Sequence, residues 1–294
     1  MKTGRILIVI VCLLSTVLVS GQKLGYGFRA GLSYSKFIGD SELDAMGGEL
    51  DGFKFTSGFH IGFAIDYGIT DVFGLRAELL FSQKGTEYRY DGDSYYFLAR
   101  GRTSERLVLG KRSTDMSVSM ASLEIPLVAY YKVGFFEISG GVYAGILAAS
   151  TGGGTLAMSE VRSAIGNDVE DFSITLQHNY NKDGAGGAAR ATLQIPIDGT
   201  IVETPSTTGA YYDFDFKDKN LYNVFDFGLA GGISFYLNDG LYIGGKVTYG
   251  LLDLDRNQYD ISFYQLDDDN QYIQRADKNT NFTIQASVGF LFGG

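Results

Sequence analysis

From Tyr26 to Phe292 the chain alternates apolar and polar positions with a period of two, and the alternation recurs eight times. Tyr26, Phe28, Ala30, Leu32 and Tyr34 fall on one face, opposite Gly27, Arg29, Gly31 and Ser33. The same pattern returns at 59–67, 73–81, 123–131, 136–146, 225–235, 241–249 and 282–292. Successive side chains of a strand point to opposite faces, so each run predicts a strand. The intervals between runs alternate as well. Three are tight, at 68–71, at Gly134 and at Asn238-Asp239-Gly240, the last a strong hairpin signal. Four are long, roughly 36–57, 83–117, 148–222 and 252–280. Short turns on one side and long loops on the other predict an all-β, eight-stranded antiparallel up-and-down transmembrane β-barrel with long extracellular loops.

Alternation alone does not say which face meets the surroundings, because a soluble barrel would turn its polar face outward. Two features choose the membrane. Each apolar band runs for about 9–11 residues, the length a tilted strand needs to cross a bilayer. The bands mostly end in rings, as at Tyr26 and Tyr34, Phe59 and Tyr67, or Phe282 and Phe292, which is how interfacial girdles are built. The opposite face is rich in Gly, Ala and Ser, as the crowded interior of eight strands requires. It also carries Arg29, Arg76, Lys132 and Lys246 against Glu78, Glu124, Glu137 and Asp226. Together with His60 and Asp66 these make an expected polar network in the lumen, its charges paired because buried charges must be.

Composition supports this picture. There are 40 Gly, 21 Phe and 20 Tyr but 3 Pro and no Trp among 294 residues, which suits many strands. Residues 1–21 stand apart: Lys2 and Arg5 precede an apolar run from Ile6 to Val19, and Val19-Ser20-Gly21 offers a cleavage site. This predicts a secretory signal peptide, with 22–294 as the barrel domain. Cys12 lies inside the apolar run rather than after a small residue, which argues against lipidation. Cleavage removes that single cysteine and with it disulfide or thiolate chemistry. The formal charge of −10 becomes −12 once Lys2 and Arg5 leave, and so acidic a chain has no use for nucleic acid.

Candidate chemistry is sparse. His60 faces inward with Ser33 and Ser57 in expected reach, which predicts a hydrogen-bonded lumen histidine; catalysis by an inward histidine is the weaker reading. His178 falls in the long loop 148–222, where a solvated position is expected. Two short alternating runs in that loop, 172–176 and 193–197, would pair as a hairpin above the membrane, and at about five residues they are too short to add spanning strands. Asp213-Phe214-Asp215-Phe216 alternates like a strand extension. Asp253, Asp255, Asp260 and Asp267-Asp268-Asp269-Asn270 make the last loop acidic, without the spacing of a calcium loop. No cofactor and no metal is expected, and no reaction is specified.

Leu123-Glu124-Ile125-Pro126-Leu127 followed by Tyr130-Tyr131-Lys132 resembles the fourth strand of the PorT-like outer-membrane β-barrel family of Bacteroidota. Gly140-Gly141-Val142-Tyr143-Ala144-Gly145 is similar to that family's fifth strand; Asp226-Phe227-Gly228-Leu229 and Thr248-Tyr249-Gly250-Leu251 resemble the sixth and seventh. The resemblance runs from Gln22 to Phe292. It implies an outer-membrane barrel, and one branch of the family serves secretion and gliding, but it brings no functional residues. The expected function is a non-enzymatic surface scaffold or secretion-associated component working through its loops. Its expected partners are outer-membrane lipid, the assembly machinery that inserts it through the terminal aromatics Phe290 and Phe292, and an envelope or secretion protein. A lipid-modifying enzyme and a small pore are the alternatives.

Overall fold

The computed structural model describes residues 23–44, 46–188, 191–256, 265–266, 272–273 and 277–293; the expected signal peptide and much of the acidic loop, including Asp260 and Asp267 to Asn270, lie outside them. Eight strands form a closed ring: β1 Lys23–Ile38, β2 Thr56–Gly68, β3 Phe73–Leu98, β4 Arg106–Val133, β5 Phe136–Ser163, β6 Phe225–Tyr236, β7 Leu241–Gly250 and β8 Thr280–Phe292. Each pairs antiparallel with its sequence neighbour. β8 closes the ring on β1, from Tyr26↔Phe292 to Ile38↔Thr280. The three tight turns fall where the sequence places them. Asn238 Oδ1 accepts from the amides of Gly240 and Leu241 at 3.0 and 2.8 Å, and Gly134 takes the positive φ of 60° that the β4–β5 turn demands.

The apolar face points outward. Phe63 is 72% exposed and Ile138 59%, while Arg29, Arg76, Glu78 and Glu124 opposite them are buried. The ring therefore has the polarity of a membrane barrel, greasy outside and charged inside. Large rings fit the interior because their neighbours are glycines: a Cβ at Gly289 would overlap the Tyr242 ring.

The strands of one wall are much longer than expected. The interval 83–117 is strand on both sides of a turn at 99–105, and 148–163 is the upper half of β5 rather than loop. Above the membrane band the sense of the alternation inverts. Tyr88, Tyr90, Met116, Val118, Met120, Leu156 and Met158 face inward and are buried, whereas Glu87, Arg89, Asp115, Ser117 and Thr155 face outward. In β5 one extra residue, Ala148, sits between the pairs Ser122↔Leu147 and Ala121↔Ala149. This bulge moves the inward set from odd positions (Glu137, Tyr143) to even ones (Ser150, Leu156).

The described residues of 164–224 (164–188 and 191–224) fold over the extended wall as a cap. The expected hairpin between 172–176 and 193–197 does not form. Strand Phe172–Asn179 pairs with β5 instead, and Thr192–Ile197 pairs with Thr200–Pro205. Edge burial explains the choice: β5 offers a free edge above the point where β6 leaves it, and Ile174 and Leu176 reach the inner face there. Asp213 to Phe216 is turn and coil, not strand. Ile174, Tyr180, Tyr211 and Tyr222 close an apolar core with Leu156, Met158 and Tyr88. Tyr180 and Tyr222 cross edge-on at 4.8 Å, and the Tyr211 hydroxyl donates to the Tyr180 carbonyl at 2.7 Å.

Candidate functional site: the sealed lumen

Three tiers of charge stack along the barrel interior. Nearest the short turns, Arg76 grips two carboxylates. Its Nε and Nη2 donate to Asp66 at 2.5 and 2.9 Å, and Nη1 and Nη2 donate to Glu137 at 2.7 and 3.0 Å. Asp66 stands directly opposite Arg76 across β2 and β3, so the first fork follows from register alone. The Tyr236 hydroxyl donates to Glu137 at 2.8 Å. Bidentate pairs of this kind are the strong ones.

In the middle tier Glu78 takes Lys246 Nζ at 2.5 Å and Arg29 Nη1 at 3.4 Å. Arg29 also donates to Gln285 at 3.1 Å and to Ser287 at 2.7 Å. His60 lies between Ser33 at 3.1 Å on Nδ1 and Ser287 at 2.9 Å on Nε2. Ser57 is exposed instead of facing His60, because its odd position puts it on the lipid row. The third tier, below the apolar core, is Lys84 between Glu124 and Asp226, with Asp226 at 3.4 Å; Asp226 also accepts from the Tyr143 hydroxyl at 2.9 Å.

Nine of the ten expected lumen residues thus enter the network. Lys132 does not; it is half-buried at the turn end, with its ammonium 4.0 Å over the Tyr236 ring and no carboxylate partner among the described residues. Its place in the charge balance is taken by Lys84, which lies on β3 in the interval 83–117 where the alternation predicts a loop. The lumen between the lower tiers holds a cavity of about 10 Å³ lined by Arg29, Arg76, Glu78, Tyr242, Lys246 and Ser287. That is room for one water molecule, not for a substrate. Among the described residues no group of His, Cys, Asp and Glu is placed to hold a metal ion.

His178 is not a solvated loop residue. It ends the cap strand half-buried, with Nδ1 3.2 Å from the Tyr180 hydroxyl. Burial pushes its pKa down to about 4, against a smaller opposing pull from Asp183. Because the folded value lies below the ordinary one near 6.5, the stability linked to this group is complete above pH 6.5. It is lost as pH falls from 6.5 toward 4, by up to roughly 3 kcal/mol. Limited proteolysis of the cap is expected to accelerate across that window, and His178→Gln is expected to flatten the dependence.

A family model for the outer membrane protein beta-barrel domain matches residues 20–256. No curated protein sequence matches the chain. Among solved structures, the attachment invasion locus protein Ail of Yersinia pestis, bound to the heparin analogue sucrose octasulfate, is similar at 11% identity and a TM-score of 0.34, over 92% of this chain and 99% of that one. Neisserial surface protein A is similar at 9% identity and a TM-score of 0.33, over 90% and 96%. The outer membrane protease OmpT of Escherichia coli is similar at 9% and 0.32, over 95% and 100%. With its matched family model and its closed ring of eight strands, the chain belongs to the outer membrane protein β-barrel domain family.

Proposed function

We propose that the protein is a closed, non-enzymatic outer-membrane scaffold, exported by a cleaved signal peptide, that presents its cap to a partner at the cell surface. One observation carries this reading: the lumen is filled by paired charges and its outer mouth is covered by an apolar core. Such an interior offers neither an aqueous path nor room for a substrate at His60. The extended wall and the cap, by contrast, face outward. A groove of about 590 Å³ at the top of the extended wall is lined by Tyr95 of β3, Leu109 and Lys111 of β4, and Glu160 and Arg162 of β5, and Leu109 of the wall and Ile201 of the cap are 48% and 61% exposed. Loops and extensions on a rigid barrel are where binding residues concentrate.

The strand motifs at 123–132 and 140–145 support a place in the PorT-like branch of Bacteroidota, and with it a secretion or envelope protein as the partner. In planar bilayers the purified protein is expected to give no open-channel currents, and outer-membrane lipids are expected to be unchanged in a His60→Ala strain. Site-specific crosslinkers at Leu109 and Ile201 are expected to trap a surface partner that Leu109→Glu abolishes in a folded barrel. Steady currents, altered lipids or a crosslink pattern indifferent to Leu109→Glu would each defeat the proposal.

A further inference from the structure

Three lysines stand at the outer rim beside β1, β2 and β8 and face outward rather than into the lumen. Lys36 continues the lipid-facing row of β1 two residues beyond Tyr34. Its Nζ stands 5.3 Å over the Phe55 ring. Phe55 meets Phe282 edge-on at 6.1 Å, and Phe282 is directly opposite Lys36 on β8. Lys54 precedes Phe55 and opposes Glu87 on β3; the pairing shifts by one residue before His60↔Ser82, which leaves Lys54 and Phe55 both exposed. Lys278, exposed on the approach to β8, donates to the Leu251 carbonyl at 2.7 Å. None of the three lysines makes an ion pair among the described residues, whereas the neighbouring Arg89 is held by Asp115 at 3.3 Å and Glu87 at 3.7 Å.

The height of these groups matters. Tyr34, Phe55 and Phe282 lie at the level of the outer aromatic girdle, so the ammoniums just beyond them sit at headgroup level. A lysine there lays its stem on apolar surface and its charge in the polar layer. β1, β2 and β8 also end at this height, while β3, β4 and β5 rise past it, so a headgroup on this side is not screened by the extended wall. In an otherwise acidic chain of formal charge −10, three such lysines on one flank call for an anion. We infer that Lys36, Lys54 and Lys278 bind the phosphate groups of anionic lipids in the outer leaflet, whose acyl chains lie against Leu32, Phe59 and Phe282.

The test uses the full mature protein in detergent micelles, incubated with equal amounts of phosphatidic acid and phosphatidylcholine of matched chains. Retained lipid is read by native mass spectrometry, with and without excess inorganic phosphate. The wild type is expected to retain phosphatidic acid preferentially, with about a fivefold gain for each lysine engaged. Lys36→Gln/Lys54→Gln/Lys278→Gln is expected to lose the preference while keeping the faster migration of an unboiled barrel on a denaturing gel. Lys111→Gln, near the top of β4 and well above the rim, is expected to keep it. If the triple variant fails to fold, the single changes carry the test, each lowering the preference. Equal retention of both lipids by the wild type, or an unaltered preference in the folded variants, would overturn the inference. Complete displacement by inorganic phosphate would overturn the lipid assignment in favour of a free anion.

Discussion

Arg76→Met is expected to destabilise the barrel by about 3–5 kcal/mol, because it leaves Asp66 and Glu137 facing each other in a dry interior without their shared cation. The guanidinium makes four carboxylate contacts at 2.5–3.0 Å and lies 5.0 Å over the Tyr130 ring, so methionine replaces its bulk but none of its charge. Much of the penalty comes from the orphaned carboxylates rather than from the worth of the pairs. Adding Asp66→Asn and Glu137→Gln to Arg76→Met is therefore expected to recover most of the loss. Urea unfolding in micelles, followed by the gel shift between folded and unfolded barrel, measures both. An Arg76→Met midpoint equal to wild type would mean that water reaches these carboxylates and screens them.

Ile174→Asp is expected to melt the cap and leave the ring intact. Ile174 is fully buried among Leu156, Met158 and Tyr180, and an aspartate there finds no cation, so the cost is several kcal/mol. The lower wall shares no side chains with that core and keeps its own tiers. Trypsin is expected to cut the variant at Arg162, Lys182 or Lys217 under conditions where the wild type resists. The gel shift of the barrel is expected to persist. Simultaneous loss of both signals would show that ring and cap fold as one cooperative unit.

The membrane-facing half of the fold was legible in the sequence because the bilayer imposes one rule along every strand, apolar outward and small or charged inward. Nine lumen residues followed from that parity. What escaped was the continuation of β3, β4 and β5 into water. There the rule reverses, and a search for apolar residues on the lipid row reads Gln83 to Asp91 as loop. The signal was nevertheless present: Lys84, Thr86, Tyr88 and Tyr90 keep the same even parity as Arg76 and Glu78, so the strand never broke. Lys84 was lost for that reason, since it stands at the inversion itself. In β5 the parity does break, at Ala148, and no local composition announces a bulge. Lys132 failed for a different reason. It has the right parity, but it sits at the last inward position before the turn, where its stem reaches past the lowest tier onto Tyr236.

The filled interior also constrains the order of assembly. The described residues of 164–224 stand at the opposite end of the barrel from Lys23 and Phe292, and an interior crowded with Arg29, Arg76, Lys84 and Tyr143 leaves no passage for them once the ring is complete. Their translocation must precede the zipping of Tyr26–Ile38 against Thr280–Phe292. The pairing of the first strand with the last is thus the lock that is thrown when everything meant for the outside is already there.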